Sequence, residues 1–126
     1  MNKKALITGS SSGIGFAYAK YLSKKDWNLD LISHDIRRSE KSEIELNYQK
    51  ASFHKADLSK IESIKNIINN FETPDLIVAN AGIAINGSIG KLTKAEKEDA
   101  YYLMCGGVID LIEGFVPRMI DKGSGR

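Results

Sequence analysis

The sequence predicts an α/β protein built on a doubly wound parallel sheet of about four strands with helices on both faces. Short apolar runs alternate with segments of helical periodicity in the order βαβαβαβα. The first run breaks into a Gly-rich loop that opens straight onto a helix. The fourth run, Leu76-Ile77-Val78-Ala79, is apolar throughout, as expected of a strand covered on both faces.

Ala5 to Thr8 reads as a buried strand ending in the loop Gly9 to Gly15. In the helix that follows, Ile14, Ala17, Tyr18, Tyr21 and Leu22 recur at spacings of three and four, predicting an apolar stripe toward the core. Lys24 and Lys25 sit where a helix C-terminus favours cations. Leu29, Leu31 and Ile32 make a second strand. The polar stretch from Ser33 to Lys50, with Ile44 and Leu46 as its aliphatic anchors, predicts a surface helix. Ala51 to Ala56 is a third strand. Ser59 and Glu62 have capping-box spacing ahead of an amphipathic helix carrying Ile61, Ile64, Ile67, Ile68 and Phe71. Pro74 and Asp75 open the fourth strand, and Asn80-Ala81-Gly82 closes it. Thr93 and Glu96 form a second capping box, starting a helix near Lys94. A last helix carries Val108, Leu111, Ile112, Phe115, Val116, Met119 and Ile120, with Gly106 and Gly107 at its start and Gly123-Ser124-Gly125 after its end.

At 126 residues, residues 1–126 make one domain of ordinary size, with 42% hydrophobic and 27% charged residues. A formal charge of +2 is too weak to point to nucleic acid or an acidic membrane as partner. One cysteine, Cys105, cannot form an internal disulfide, which is the usage of a reducing cytoplasm; Cys105 itself reads as a small buried residue. Ala5 to Ile7 is too short for a signal-peptide core. The stretch from Val108 to Ile120 is interrupted by Asp110, Glu113, Pro117 and Arg118, so no membrane span is expected.

Ligands of such sheets bind at the carboxyl ends of the strands, where the strand order reverses. Those ends are Thr8 to Gly15, Ser33 to Asp35, Ala56 to Leu58 and Asn80 to Gly82. Gly9, Gly13 and Gly15 lie between a strand and a helix, where absent side chains let backbone N–H groups approach a diphosphate at a helix N-terminus. A tight turn with glycines kept for geometry alone is the plainer alternative. A P-loop is excluded because no Lys-Ser or Lys-Thr follows the last glycine. The order is Gly-x-x-x-Gly-x-Gly and not Gly-x-Gly-x-x-Gly.

Thr8-Gly9-Ser10-Ser11-Ser12-Gly13-Ile14-Gly15 resembles the Thr-Gly-x-x-x-Gly-x-Gly signature of the short-chain dehydrogenases/reductases. Asp57-Leu58 resembles the family's pair after the third strand, Asn80-Ala81-Gly82 its element after the fourth, and Phe115 to Met119 with Gly123 to Arg126 its long helix and the approach to a fifth strand. The resemblance runs along essentially the whole chain. It implies a Rossmann-like sheet, here incomplete, and an oxidoreductase that moves hydride between NADP or NAD and a small-molecule carbonyl or alcohol, working as a homo-oligomer. Gly9, Ser11, Ser12, Gly13, Ile14 and Gly15 would bind the cofactor's diphosphate side, Asp57 and Leu58 its adenine, and Asn80, Ala81 and Gly82 its pocket beyond the fourth strand.

In that family an acidic residue after the second strand favours NAD and a basic one NADP. The acidic position falls on Ser33 and the basic one on His34; Asp35 could serve as an acceptor, and Arg37 and Arg38 could reach a phosphate or simply start a solvated helix. Ser33 has no carboxylate, so NADP is the expected preference. The family's catalytic Ser, Tyr and Lys follow the fifth strand, so no catalytic residue is expected in this chain, read as truncated before that segment. Met104 occupies the position of the family's usual relay Asn. Tyr21 and Lys25 have the Tyr-x-x-x-Lys spacing but lie on the first helix, where they read as a core tyrosine beside a terminal lysine. Three readings stay open: part of a longer enzyme, a short nucleotide-binding protein without turnover, and a regulatory Rossmann-fold subunit.

Overall fold

A computed structural model describes residues 2–35 and 50–126. The helix expected between Ser33 and Lys50, with Arg37, Arg38, Ile44 and Leu46, lies outside the described residues. In chain order the elements are β1 (Lys4–Thr8), α1 (Gly13–Lys24), β2 (Asn28–Ser33), β3 (Ala51–Lys55), α2 (Ile61–Asn70), β4 (Leu76–Val78), α3 (Lys94–Tyr101) and α4 (Gly107–Lys122). The strands form a parallel sheet in the order β3-β2-β1-β4. The chain steps outward from β1 to β3, then returns to β1's other side, so the order reverses between β1 and β4.

Alternation along the strands divides the core in two. Ala5, Ile7, Leu29 and Leu31 pack with Ala19 and Leu22 of α1 on one face, and Leu6 and Ile32 pack with Ile64 and Ile67 of α2 and Leu111 and Phe115 of α4 on the other. β1 is therefore covered on both sides, with Ala5, Leu6 and Ile7 at most 1% exposed.

α1 turns a different face to the sheet than its apolar periodicity predicts. Gly15, Ala19 and Leu22 are its buried residues, whereas Ile14, Tyr18 and Tyr21 are 68%, 45% and 59% exposed. The reason is steric: a Cβ on Gly15 would stand 2.2 Å from the Gly9 carbonyl oxygen, so the first turn sits against the loop and sheet where bulky residues do not fit.

The expected Ser59–Glu62 capping box does not form. Ser59 instead donates from both its N–H and its hydroxyl to the Asp57 carboxylate, at 3.1 and 2.6 Å, and α2 begins after Lys60 without a side-chain cap. The Thr93–Glu96 box does form: Glu96 N–H donates to Thr93 Oγ1 at 3.1 Å and Thr93 N–H to Glu96 Oε2 at 2.7 Å. α3 then runs into α4 through a π-helical turn, Tyr102–Gly106, where a separate helix start was expected at Gly106 and Gly107. Close approach explains these glycines, since a Cβ on Gly107 would meet the Tyr102 carbonyl oxygen at 2.9 Å. Tyr102 donates its hydroxyl to Asp110 at 2.8 Å across this turn, and burial together with that bond pushes its pKa up to about 12.

α4 buries Leu111, Phe115 and Met119 and turns Ile109, Ile112, Val116 and Ile120 outward. Gly123 ends it in the left-handed region, φ +78°. Beyond it, Arg126 N–H donates to the Asp75 carbonyl and Ile77 N–H to the Arg126 carbonyl, so the chain lies along the outer edge of β4. Asp75 ties the layers together, accepting Lys4 N–H at 2.8 Å and Lys122 Nζ at 2.6 Å.

Candidate functional site

A cleft of about 570 Å³ opens at the carboxyl ends of β1, β2, β3 and β4. That volume falls within the range of small-molecule sites. Its floor is a set of hydrogen bonds between β1 and β4. Thr8 Oγ1 accepts the N–H groups of Asn80 and Ala81, each at 3.0 Å, and the Asn80 amide donates to the carbonyls of Thr8 and Gly9 at 3.3 and 3.2 Å. Gly9 adopts φ +64°, and a Cβ there would meet Ala81 Cα at 2.9 Å. The loop thus stays pressed to the strand ends only because Gly9 and Gly15 have no side chains. Ser10 completes the floor, its N–H and hydroxyl both donating to the Ile32 carbonyl at 3.2 Å.

The structure brings Gly9, Ser11, Ser12, Ser33, His34, Asp57, Leu58, Asn80, Ala81 and Gly82 together on the cleft lining. Gly13, Ile14 and Gly15 are not on it: Gly15 is buried under Gly9, and Gly13 and Ile14 are exposed at the start of α1. Gly13 adopts φ +56°, and a Cβ there would meet nothing within 4 Å, so the space beside the helix N-terminus is open. Ile32, Asp35, Ala56, Ser59, Ile83, Asp99 and Leu103 complete the lining. Asp35 and Ala56 belong to the expected strand ends, and Ser59 adjoins one. Asp99 and Leu103 come from the α3 region and carry no motif.

Around the β2 and β3 ends the cleft is polar. Ser33 is 3% exposed and its hydroxyl is engaged with the Asp35 backbone, accepting its N–H at 3.2 Å. Bonds from Ser59, with lesser help from His34 and Lys60, hold the Asp57 carboxyl below its ordinary value, so Asp57 stands as a carboxylate. Asp99 is paired with Lys60, whose Nζ lies 3.1 Å from both carboxylate oxygens.

Met104 is half exposed, with its Sδ 3.8 Å from where a Cβ on Gly82 would stand, which puts a thioether beside that edge of the cleft. Cys105, in the π-helical turn, is only half buried, contrary to expectation; the Tyr101 phenol bonds to it and is raised above its ordinary value. Tyr21 and Lys25 are remote from the cleft, lining a shallow groove with Lys3 and Trp27, and Lys25 Nζ sits 5.7 Å above the Tyr21 ring. Tyr21 is a surface residue and not a core tyrosine, because Leu22 takes the inward position. Among the described residues, no helix is long and apolar enough to cross a membrane, and no group of three His, Cys, Asp or Glu could hold a metal.

The chain is 35% identical over 130 residues to an uncharacterised oxidoreductase of Listeria monocytogenes, covering 98% of this chain and 52% of that protein. To a 3-oxoacyl-[acyl-carrier-protein] reductase of Staphylococcus epidermidis it is 29% identical, covering 99% and 54%. It thus spans about half the length of these curated relatives. Among solved structures, the L-sorbose reductase of Gluconobacter frateurii complexed with NADPH and L-sorbose superposes with a TM-score of 0.83 at 27% identity, over 98% of this chain and 50% of that one. The short chain dehydrogenase family model matches residues 3–126. With a parallel sheet reversing at β1, glycines that keep the loop on the strand ends and a match along nearly every residue, the chain belongs to the short chain dehydrogenase family.

Proposed function

We propose that this chain is the cofactor-binding part of an NAD(P)-dependent oxidoreductase that reduces a small-molecule carbonyl or oxidises the matching alcohol, with NADP preferred. The observation that carries this reading is the glycine-backed cleft at the point of strand reversal. Gly9, Ser11 and Ser12 would hold the diphosphate beside the open N-terminus of α1, where backbone N–H groups and the helix dipole favour an anion. Ser33 and His34 would meet the adenosine ribose, Asp57 and Leu58 the adenine, and Asn80, Ala81 and Gly82 the remaining half. When bound, the nicotinamide supplies or accepts the hydride. This chain's own contribution is to bind and orient: the Asn80 amide keeps the β1 and β4 ends together, and Thr8 fixes the backbone that turns into the cleft. The NADPH complex of the sorbose reductase supports a nicotinamide cofactor of the phosphorylated kind. Tyr21 and Lys25 stand at a different groove, so the Tyr-x-x-x-Lys pair of this chain is not placed to move a proton in the cleft. The 126-residue polypeptide is therefore expected to bind dinucleotide without turning over ketones or aldehydes.

The lone Cys105 supports a cytoplasmic setting, and the outward Ile109, Ile112, Val116 and Ile120 of α4 support self-association. Met104 in place of a relay amide favours a second reading, a nucleotide-binding protein that turns nothing over. Calorimetric titration with NADP and NAD tests binding. Gly13→Val meets no neighbour but puts a β-branched residue into left-handed backbone at φ +56°, so the variant is first checked for folding by circular dichroism; in the folded protein its side chain would occupy the open space beside the loop and abolish binding. Equal affinity in wild type and variant would rule the cradle out.

A further inference from the structure

We propose that Asn86-Gly87, in the connection between β4 and α3, is a site of spontaneous covalent modification at which the asparagine becomes aspartate or isoaspartate. The proposal stands on this loop and is independent of what the cleft binds.

The two reacting groups are neighbours in the sequence. The Gly87 backbone nitrogen bonds to Asn86 Cγ, closing a five-membered imide, and the side-chain amide nitrogen leaves as ammonia, taking the Gly87 proton with it. Water then adds to one imide carbonyl and breaks one of the two C–N bonds. Opening at the side-chain carbonyl leaves aspartate. Opening at the backbone carbonyl leaves isoaspartate, whose main chain runs through Cβ and Cγ. Water is the sole co-reactant, and nothing is oxidised or reduced.

Regular structure ordinarily prevents this attack by fixing the backbone, and a side chain on the following residue crowds the nitrogen. Neither obstacle exists at Asn86. Residues 79–88 lie in neither helix nor strand, Asn86 and Gly87 are both exposed, and glycine presents no side chain. Among the described residues, no hydrogen bond engages the Asn86 amide or the Gly87 N–H. Asn80, in the same connection, shows the opposite case. Its amide donates to the Thr8 and Gly9 carbonyls and the Ala81 N–H to Thr8 Oγ1, so both groups that would have to react are committed. Asn66 and Asn70 are held within α2, the Asn70 amide donating to the Asn66 carbonyl at 3.0 Å and to Asn66 Oδ1 at 2.7 Å. Every other described asparagine is followed by a residue with a side chain.

The loop is anchored at both ends, by Ala81 on Thr8 and by the Thr93 capping box, and Ile83 within it lines the cleft. Isoaspartate inserts one more main-chain carbon between those anchors. Either product adds one negative charge, which lowers the formal net charge from +2 to +1.

The test incubates the purified 126-residue chain at mildly alkaline pH for days, folded and in urea. Peptide mass spectrometry locates the change, isoelectric focusing follows the charge, and an isoaspartyl methyltransferase with labelled S-adenosylmethionine counts isoaspartate. Folded wild type should gain one mass unit at Asn86, in two products, with a new acidic band and Asn80 unchanged. In urea Asn80 should begin to react, while Asn86 keeps its folded rate. Gly87→Ala should fold, because its Cβ would lie 3.5 Å from Leu92 Cδ2 and Gly87 is outside the left-handed region. It should slow the reaction at Asn86 by about tenfold or more. An Asn86 that stays intact in the folded chain while reacting in urea would overturn the proposal, since the fold would then hold the nitrogen away. Equal rates in wild type and Gly87→Ala would overturn it too, because the glycine would not be what admits the attack.

Discussion

Gly15 shows how much of this fold depends on a single missing methyl group. Gly15→Ala would place a carbon 2.2 Å from the Gly9 oxygen and 2.6 Å from the Asn80 amide, both parts of the hydrogen-bonded floor. Nothing there is the flexible end of a side chain free to swing aside. The expected loss is about 3 kcal/mol of stability, the upper end of ordinary overpacking, read as a fall in the urea midpoint. Gly13→Ala is the matched control: it meets no neighbour and bears only the left-handed backbone, so about 1 kcal/mol is expected. A Gly15→Ala protein as stable as wild type would mean that the loop is not pressed to the strand ends as described.

At the scale of elements, α4 carries the contrast between spacing and burial. Its inward stripe is Leu111, Phe115 and Met119, and Phe115 is fully buried between the sheet and α2. Phe115→Ala should cost about 3–5 kcal/mol by lost transfer energy and a cavity, whereas Ile120→Ala, 73% exposed, should change stability by less than about 0.5 kcal/mol. Chemical denaturation of the two variants checks the pair, and similar losses would show the helix to be rotated. Strands and helices were legible in the sequence because apolar runs and 3.6-residue periods report on them directly. The orientation of α1 was not. Small residues allow a helix to lie close on a sheet but add little to a periodicity, so Gly15 and Ala19 were outweighed by Ile14, Tyr18 and Tyr21. The α2 cap was missed for a related reason: Ser59 satisfies Asp57, and a spacing rule does not show which of two nearby partners a hydroxyl takes. The cleft was legible at Asp57 and Asn80 through the strand-end rule, but Asp99 and Leu103 reach it through tertiary packing alone.

For the whole molecule, carboxylates held below their ordinary values shape the response to acid, and among the described residues Asp75 and Asp57 are two of them, beside the exposed Glu72. Asp75 is held below its ordinary value by Lys122 and by Lys4 N–H, and Asp57 by Ser59. Both pKa values are lower folded than unfolded. The stability they contribute is therefore present above the ordinary value of 3.8 and is lost as pH falls through the folded values. Thermal melts should show a stability plateau above about pH 5 and a decline below pH 4, and Asp75→Asn should flatten that decline as well as lowering the plateau. An unchanged acid limb in Asp75→Asn would remove Asp75 from the account. The β1–β4 floor has a further consequence, in time. Backbone hydrogens at the lip of an open cleft ordinarily trade with solvent quickly, yet those of Asn80 and Ala81 are donated to Thr8 Oγ1, and that of Ser10 to Ile32. They should exchange with deuterium as slowly as the strand interior, opening only when the sheet itself opens. Thr8→Val keeps the shape but removes the acceptor, so it should release Asn80 and Ala81 to rapid exchange while leaving Ser10 slow.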